Sequence, residues 1–286
     1  MLSVNTNNAS QAAQSAYANK QQAVNQVLAE LGSGSSINSA ADNPAGLAVS
    51  EGLTTQINGD QQAVNNANTG ISLAQTASTA LSQLQSNTEQ LQQLAVQANN
   101  GTLNDTDRAA IQDQVDQLTQ ANSQIVQNTQ FDGTPLLSGN TSITLQVGAD
   151  GTPVDQITLN GTGLDNPPAS GGLNGYNDNL TATKTIDVSS QAAAQNAMTL
   201  LGQDMQTLSG AQSELGGVTA SLADTVNNLQ TSSINEQAAQ SGISSTDYAA
   251  ASADLAQQQI QGNASTATMA QANMSQAAAL ALLQGI

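Results

Sequence analysis

Leucines at regular intervals form the longest apolar pattern in this chain. They recur every seven residues at Leu201, Leu208, Leu215, Leu222 and Leu229. The interval places one apolar stripe along a helix of roughly 30 residues, about 45 Å long. Each leucine gains about 1.5–3 kcal/mol only where another surface removes it from water. The pattern therefore predicts a long helix that packs against other helices.

Two upstream segments carry the apolar stripes that this helix needs as partners. The first is predicted to begin at Pro44, with Asn43 as its N-cap, and to end near Ala98 before an Asn-Asn-Gly stop signal. Its predicted packing residues are Leu81, Leu84 and Leu91. The second segment follows over residues 106–128. We expect both to pack against the leucine-rich helix.

Both ends of the chain are predicted to be helical but only weakly apolar. The N-terminal helix covers residues 4–31, and the C-terminal helix covers residues 245–285. Their larger apolar side chains are Val24, Val27, Leu28, Ile260, Met274, Leu280 and Leu283. The remaining apolar positions are mostly alanine, which buries little area when a helix is isolated.

The middle of the chain changes from helical to strand periodicity. Residues 131–133 predict a turn, and alternating apolar positions over residues 143–159 predict an antiparallel hairpin. A short strand is predicted at residues 181–188, before the leucine-rich helix begins. That helix is expected to end near Ser232 and to be followed by a looser polar stretch that includes Gly242.

These elements predict a mainly α fold with a small central β-hairpin region. The N- and C-terminal helices are expected to pair in an elongated helical hairpin or coiled-coil rod. The predicted divisions are residues 1–43 and 236–286 for the two terminal parts, 44–139 and 189–235 for the two inner parts, and 140–188 for the hairpin insertion.

The composition of the 286 residues excludes most ligand chemistry. Lys and Arg total 3 against 21 acidic residues, giving a formal net charge of −18, so nucleic acid and anionic membranes are not predicted partners. The absence of His and Cys excludes nucleophile systems and zinc sites built on them. No phosphate-binding glycine motif or spaced calcium loop occurs. We therefore predict that the protein is not an enzyme and has no cofactor or metal site.

The N-terminal residues bear on where the protein is found. They lack the basic region and apolar core of a signal peptide, and no apolar run approaches the roughly 18–20 residues of a membrane span. A cytosolic protein is the simplest expectation. Export by a route that removes no signal is the more specific one.

Several segments, in this order along the chain, resemble the bacterial flagellins. They are residues 37–48 (INSAADNPAGLA), 65–76 (NNANTGISLAQT), 94–97 (LAVQ), 131–139 (FDGTPLLSG), 145–148 (LQVG), 215–216 (LG) and 247–249 (DYA). Each segment alone is a weak signal, whereas their shared order over nearly the whole chain is specific. The variable outer domain usual in the family is reduced to about residues 140–188 or absent.

This resemblance implies a structural subunit that self-assembles into the helical flagellar filament for swimming motility. Its terminal helices would form an inner tube and fold on polymerisation, and its inner parts would form the surrounding rod wall. The joint between them would be formed by Ile37, Asn38, Ser39, Asp42, Asn43, Ala45, Gly46 and Leu47. The implied location is the extracellular filament, reached without a cleaved signal peptide. The implied partners are further copies, an export chaperone, and hook-associated and cap proteins.

The chain departs from the family at positions that usually carry charge. Gln90, Gln92 and Gln114 replace arginines and a glutamate, and Ser213-Glu214 replaces an arginine-containing segment. In the family, the places of Gln90, Leu94 and Gln114 lie on the surface read by the animal innate flagellin receptor. The resemblance therefore does not predict recognition by that receptor here. It predicts amide hydrogen bonds in place of salt bridges between subunits.

Two other interpretations stay open. A hook–filament junction protein would share the terminal helices, and a generic coiled-coil binding module would need only the leucine repeat. The segments at residues 37–48 and 65–76 favour the filament subunit over both.

Overall fold

The structure is a computed structural model that describes residues 7–176 and 185–284, with side chains as far as residue 278. The described residues form five α-helices and two small antiparallel sheets. The helices are α1 (Asn8–Ser33), α2 (Pro44–Ala98), α3 (Asp105–Asn128), α4 (Gln191–Ser244) and α5 (Tyr248–Gln284). The strands are β1 (Gln130–Phe131), β2 (Thr134–Pro135), β3 (Ile143–Gln146) and β4 (Gln156–Leu159). None of the described helices combines the length and the apolarity that crossing a membrane requires.

Asparagine side chains begin the first three helices. The Asn7 side chain accepts a hydrogen bond from the Ser10 amide at 3.0 Å, which caps α1. Asn43 Oδ1 accepts from the Gly46 amide at 2.9 Å, and α2 then runs over the span predicted from its sequence. At α3 the Asn104 side chain and Asp107 form a capping box, because each side chain accepts from the other residue's amide. Polar groups that would otherwise lack partners are thereby satisfied at each helix start.

The predicted end of the leucine-rich helix near Ser232 is wrong. Helix α4 continues to Ser244 and includes Gly242, which was expected to lie in a looser stretch. The intervening sequence contains no proline, and several of its residues are good helix formers. One internal glycine costs only about 1 kcal/mol, so it does not stop the helix.

The strand predicted at residues 181–188 is also wrong in its described part. Residues 181–184 lie outside the described residues, and residues 185–188 are irregular. A side chain takes the place of a neighbouring strand: Gln112 Nε2 donates to the Ile186 carbonyl at 2.9 Å, and the Val188 amide donates to Gln112 Oε1 at 2.7 Å. Ile186 and Val188 are both fully buried, which explains their alternating apolar pattern.

The chain folds into two compact units. Unit 1 comprises Met1–Thr55 and Asn235–Ile286, and unit 2 comprises Gln56–Ile234. The five predicted divisions of the sequence stay a prediction, and unit 1 extends into α2, beyond the predicted boundary at residue 43.

Unit 2 has a leucine-rich core that is divided into three apolar clusters. Its largest fully buried side chains include Leu81, Leu84, Leu91, Leu201, Leu208 and Leu222, and Leu215 is nearly as buried. Leu229, the last leucine of the repeat, is only half-buried and lines an open hollow beside Val64 and Ile234. Apolar burial on this scale supplies the main favourable free energy of folding, so unit 2 has a core of its own.

The hairpins cover this core. Strands β1 and β2 are joined by Asp132 and Gly133, which have φ values of 48° and 76°, as a tight two-residue hairpin turn requires. Strands β3 and β4 pair in the predicted alternation, with Ile143 opposite Leu159. The β3–β4 hairpin approaches α2 closely at Gly70, where an added Cβ would contact the Leu145 side chain.

A buried carboxylate holds the loop before α4. Asp204 is 2% exposed, and its two oxygens accept from the Asn174 and Gly175 amides at 2.7 and 2.8 Å. Burial raises the pKa of Asp204 above its ordinary value, although these hydrogen bonds act in the opposite direction. Because the folded state favours the protonated form, the Asp204 contribution to stability falls as the pH rises through the raised pKa.

The glycine at residue 70 makes a testable case. We expect Gly70→Ala to destabilise unit 2 by about 1–3 kcal/mol, because the new methyl group must displace Leu145 and also lies 3.1 Å from Leu222 Cδ1. Gly217→Ala in α4 is the matched control, since its Cβ would meet no heavy atom within 4 Å. It should stabilise the helix by about 0.5–1 kcal/mol. Denaturant unfolding measures both changes, and equal shifts in the two variants would contradict this packing.

Candidate assembly surfaces

Unit 1 pairs α1 with α5 through a seam of small and polar side chains. Apart from Gln261, the partly or fully buried residues among the described side chains of α5 form its side of the seam, and they are Ala251, Leu255, Gln258, Gly262, Ser265, Met269, Ala272 and Gln276. Their spacing alternates between four and three residues, as in a two-helix seam. In the described part of unit 1, only Ala13, Val27 and Ala251 are buried apolar residues. The pair therefore buries far less apolar area than the leucine core of unit 2.

Hydrogen bonds at the two ends show that the helices run in opposite directions. Near the start of α1, the Asn7 side chain donates to the Ala272 carbonyl and to Asn273 Oδ1, both at 3.1 Å. Near its end, Thr246 Oγ1 donates to the Glu30 carbonyl at 3.3 Å. These polar contacts fix the relative position of the helices but contribute modestly to stability, about 0.5–1.5 kcal/mol each.

The predicted inner-tube residues divide between the seam and the exposed surface. Val27 is buried and Val24 is half-buried against α5, whereas Leu28 is 49% exposed. Ile260 and Met274 are 69% and 60% exposed. The side chains of Leu280 and Leu283 lie outside the described residues.

The exposed residues of α5 form a defined apolar row. Ala253, Ile260, Ala267 and Met274 are seven residues apart, and all four are exposed. Each lies two positions after one of the seam residues, on the side of α5 that faces away from α1. The seven-residue spacing of this row therefore marks a surface that α1 does not cover.

Serines join the two turns that connect the helices of unit 1. Residues 34–36 follow α1, residues 245–247 follow α4, and a short antiparallel bridge joins Ser35 to Ser245. The Ser36 amide donates to the Ser244 carbonyl at 2.7 Å, and the hydroxyls of Ser35 and Ser36 donate to the same carbonyl. Residues 32–36 have the sequence Gly-Ser-Gly-Ser-Ser and show no apolar periodicity. Their run of serines was the available signal for this contact.

The predicted joint residues lie directly after this bridge, between α1 and α2. Ile37 is half-buried, and Asn38, Ser39, Asp42, Asn43 and Ala45 are exposed, with Gly46 and Leu47 half-buried at the start of α2. Asp42 organises the turn, because one of its oxygens accepts from the Asn38 and Ser39 amides at 3.0 and 2.8 Å. Hydrogen bonds from the Ser39 and Asn38 backbone lower the pKa of Asp42.

Three positions predicted to face the receptor line one hollow in unit 2. Gln90 and Gln114 are exposed and Leu94 is half-buried, and all three border an open space of about 430 Å³ between α2 and α3. Three more glutamines and Leu118 complete its wall. The described lining is uncharged, so hydrogen bonding by amides dominates its polar chemistry. Gln92 does not line it.

Asp42 gives the joint a pH dependence that can be measured. Because the folded state lowers its pKa, the hydrogen bonds to Asn38 and Ser39 stabilise the joint fully above the ordinary Asp range. This contribution is lost as the pH falls through the lowered pKa. We expect Asp42→Ala to increase hydrogen exchange at those two amides at pH near 7, with no change in unit 2. An unchanged exchange rate would contradict this role for the carboxylate.

Family models match both ends of the chain. Residues 4–142 match the bacterial flagellin N-terminal helical region, and residues 198–283 match the bacterial flagellin C-terminal helical region. A flagellin of Halalkalibacterium halodurans is 35% identical over 258 residues, covering 90% of this chain and 90% of that protein. A phase 1 flagellin of Salmonella naestved is 38% identical over 64% of this chain, which spans only 35% of that relative's length.

A solved structure shares the architecture. It is described as a flagellar hook-associated protein of Vibrio parahaemolyticus, has a TM-score of 0.58 and covers 71% of this chain and 100% of its own. At 13% identity this likeness concerns the fold alone. The family matches and the similarity along the length of the H. halodurans protein decide the assignment. The chain belongs to the bacterial flagellin family.

Proposed function

We propose that this flagellin, a structural subunit of the extracellular flagellar filament and not an enzyme, polymerises through the helical pair of unit 1. The observation that carries the proposal is the apolar row on α5. Ile260 and Met274 are large apolar side chains that a single copy leaves mostly in water. Further copies of the chain are the partners that cover them.

The free energy of folding of the α1–α5 pair supports this need for further copies. Ordering a backbone costs about 1–2 kcal/mol per residue, and an alanine- and glycine-rich seam offsets little of that cost. Leucine-rich packing is concentrated in unit 2, where the described apolar clusters lie. Unit 1 therefore gains most of its stability when other copies cover its exposed faces.

Small side chains suit such an assembly. The exposed row alternates Ala253 and Ala267 with Ile260 and Met274, so a neighbouring helix approaches closely at the alanines and is held at the larger residues. When one face of a subunit contacts a different face of the next without closing into a ring, the contacts continue into a helical polymer. This geometry produces a long filament from one kind of chain.

The same exposed faces define the remaining partners in this proposal. Before polymerisation, an export chaperone covers the apolar side chains of unit 1 and prevents premature association. At the two ends of the filament, hook-associated and cap proteins present similar helical surfaces to unit 1. The joint at residues 37–47 serves as the connection between tube and rod parts of each subunit.

Polar replacement of the row tests polymerisation through unit 1. We expect Ile260→Asn combined with Met274→Asn to raise the critical concentration for filament growth by at least roughly tenfold for each residue. The control is Val154→Asn, since Val154 is 92% exposed in unit 2. Sedimentation of filaments grown from sheared seeds measures the critical concentration. An equal effect of the control and the double variant would argue against the row as the contact surface.

Charge substitutions in the hollow bordered by Gln90, Leu94 and Gln114 test receptor recognition. We propose that the animal innate flagellin receptor binds this chain weakly, because Gln90 and Gln114 provide no charge at the places that the family's receptor surface uses. Gln90→Arg with Gln114→Glu should then increase receptor affinity by about tenfold or more. Gln97→Arg with Gln117→Glu places the same charges elsewhere in the hollow and serves as the control. Equal affinity of both double variants would contradict the proposal.

A further inference from the structure

The helical pair of unit 1 is almost free of charge. Although the chain has a formal charge of −18, α1 contains only Lys20 and Glu30 as charged residues, and α5 contains only Asp254. Lys20 is also the one basic residue in the sequence of unit 1. Each of these three charges therefore strongly influences how the α1–α5 pair packs against other copies of the chain.

Lys20 borders a hollow at the α1–α5 seam. The space is about 340 Å³ and opens to the outside between Tyr17 and Val24 on α1 and Gln258, Gly262 and Asn263 on α5. Gly262 at this level carries no side chain, which leaves the seam locally unfilled. The described residues that line the hollow include one cation and no carboxylate.

A second polar group in the hollow also lacks a partner. Gln258 Oε1 is buried without a hydrogen-bond donor, while Gln258 Nε2 donates to Asp254 Oδ1 of the same chain at 3.3 Å. An ammonium has three donors, so Lys20 is suited to donate to Gln258 Oε1 and to an anion at the same time. The hollow thus has the chemistry of a site for a carboxylate.

Association of copies makes such an anion necessary. If unit 1 is covered by other copies, as in the proposed function on which this inference rests, the hollow loses contact with water. A buried ammonium without a counter-charge is strongly unfavourable, whereas a paired and hydrogen-bonded one is tolerated. A carboxylate from a neighbouring copy would supply this counter-charge.

We propose that the hollow at Lys20 receives the Asp254 carboxylate of a second copy. Asp254 is exposed and is the one acidic residue on α5. The carboxylates of Asp42 and Asp247 already accept backbone amides of their own turns. The Asp254 contact with Gln258 occupies one acceptor position, and a carboxylate has about four.

This ion pair sets the stagger between neighbouring copies. Along two nearly uncharged helices, many alternative registers would bury similar numbers of alanines. A single polar or charged pair in such a seam is favourable in one register and costly in the others. Lys20 and Asp254 thus provide the specificity that the apolar row alone does not.

Charge reversal in separate chains tests the assignment. We expect Lys20→Glu and Asp254→Lys, each alone, to raise the critical concentration for filament growth by tenfold or more. An equal mixture of the two variant proteins should polymerise near the wild-type concentration. If the two variants alternate along the filament, each contact between them places opposite charges together. Half of these contacts join the two substituted positions, and the other half join the native Lys20 and Asp254. Recovery in the mixture also shows that both variant chains are competent to fold.

The other results have distinct meanings. Recovery only when both reversals are placed in one chain would show that Lys20 pairs with Asp254 of its own chain, and this would overturn the proposal. Single variants that polymerise like the wild type, or a mixture that does not recover, would overturn it as well. Recovery of Lys20→Glu by Glu30→Lys chains instead would assign the contact to Glu30. Failure of the wild-type chain itself to polymerise would refute the proposed function and not merely the ion pair.

Discussion

The α1–α5 seam buries too little apolar area to hold its helices firmly. The side chains that meet there include alanines, a glycine, serines and glutamines, with Val27 as the largest buried apolar residue in the described part of unit 1. Ordering the backbone of each helix costs conformational entropy, and burial in this seam does not offset that cost. The polar contacts at its ends, the exposed row on α5 and the unpaired charge at Lys20 are all consistent with helices completed by other copies.

Unit 2, in contrast, buries large apolar side chains within the chain itself. Many of its leucines are buried in apolar clusters, and buried polar side chains connect its irregular segments to the helices. Gln112 pairs with the backbone at Ile186 and Val188, and Asp204 accepts the amides of the loop before α4. These groups have partners within the chain, so unit 2 is expected to remain folded when copies separate. One flagellin chain thereby combines a stable part with a part that depends on assembly.

Sequence periodicity predicted the helices well because the apolar spacing and the caps agree. The Asn43-Pro44 start and the end at Ala98 of α2 were read from the sequence, as was the pairing of Ile143 with its opposite strand. The strand expected at residues 185–188 failed because alternating burial does not reveal whether the backbone partner is a strand or the Gln112 side chain. The sequence also did not predict whether the apolar row on α5 faces α1 or the solvent. A seven-residue interval shows that residues share a face, but not whether that face meets α1 or another copy.

Long-range polar contacts were the least predictable part of the candidate surfaces. Ser36 and Ser244 are far apart in the sequence, and neither belongs to a periodic pattern. Lys20 and Gln258 line the same hollow because α1 and α5 run in opposite directions. In contrast, the joint at residues 37–47 and the glutamine positions at 90 and 114 were identified through resemblance to the family.

The most direct test compares hydrogen exchange along the wild-type chain in its monomeric and filament forms. We expect fast exchange at the amides of α1 and α5 in the monomer and strong protection in the filament. The buried segments of α2, α3 and α4 in unit 2 should be protected in both forms. Equal protection of α1 and α5 in monomer and filament would contradict the claim that assembly stabilises these helices.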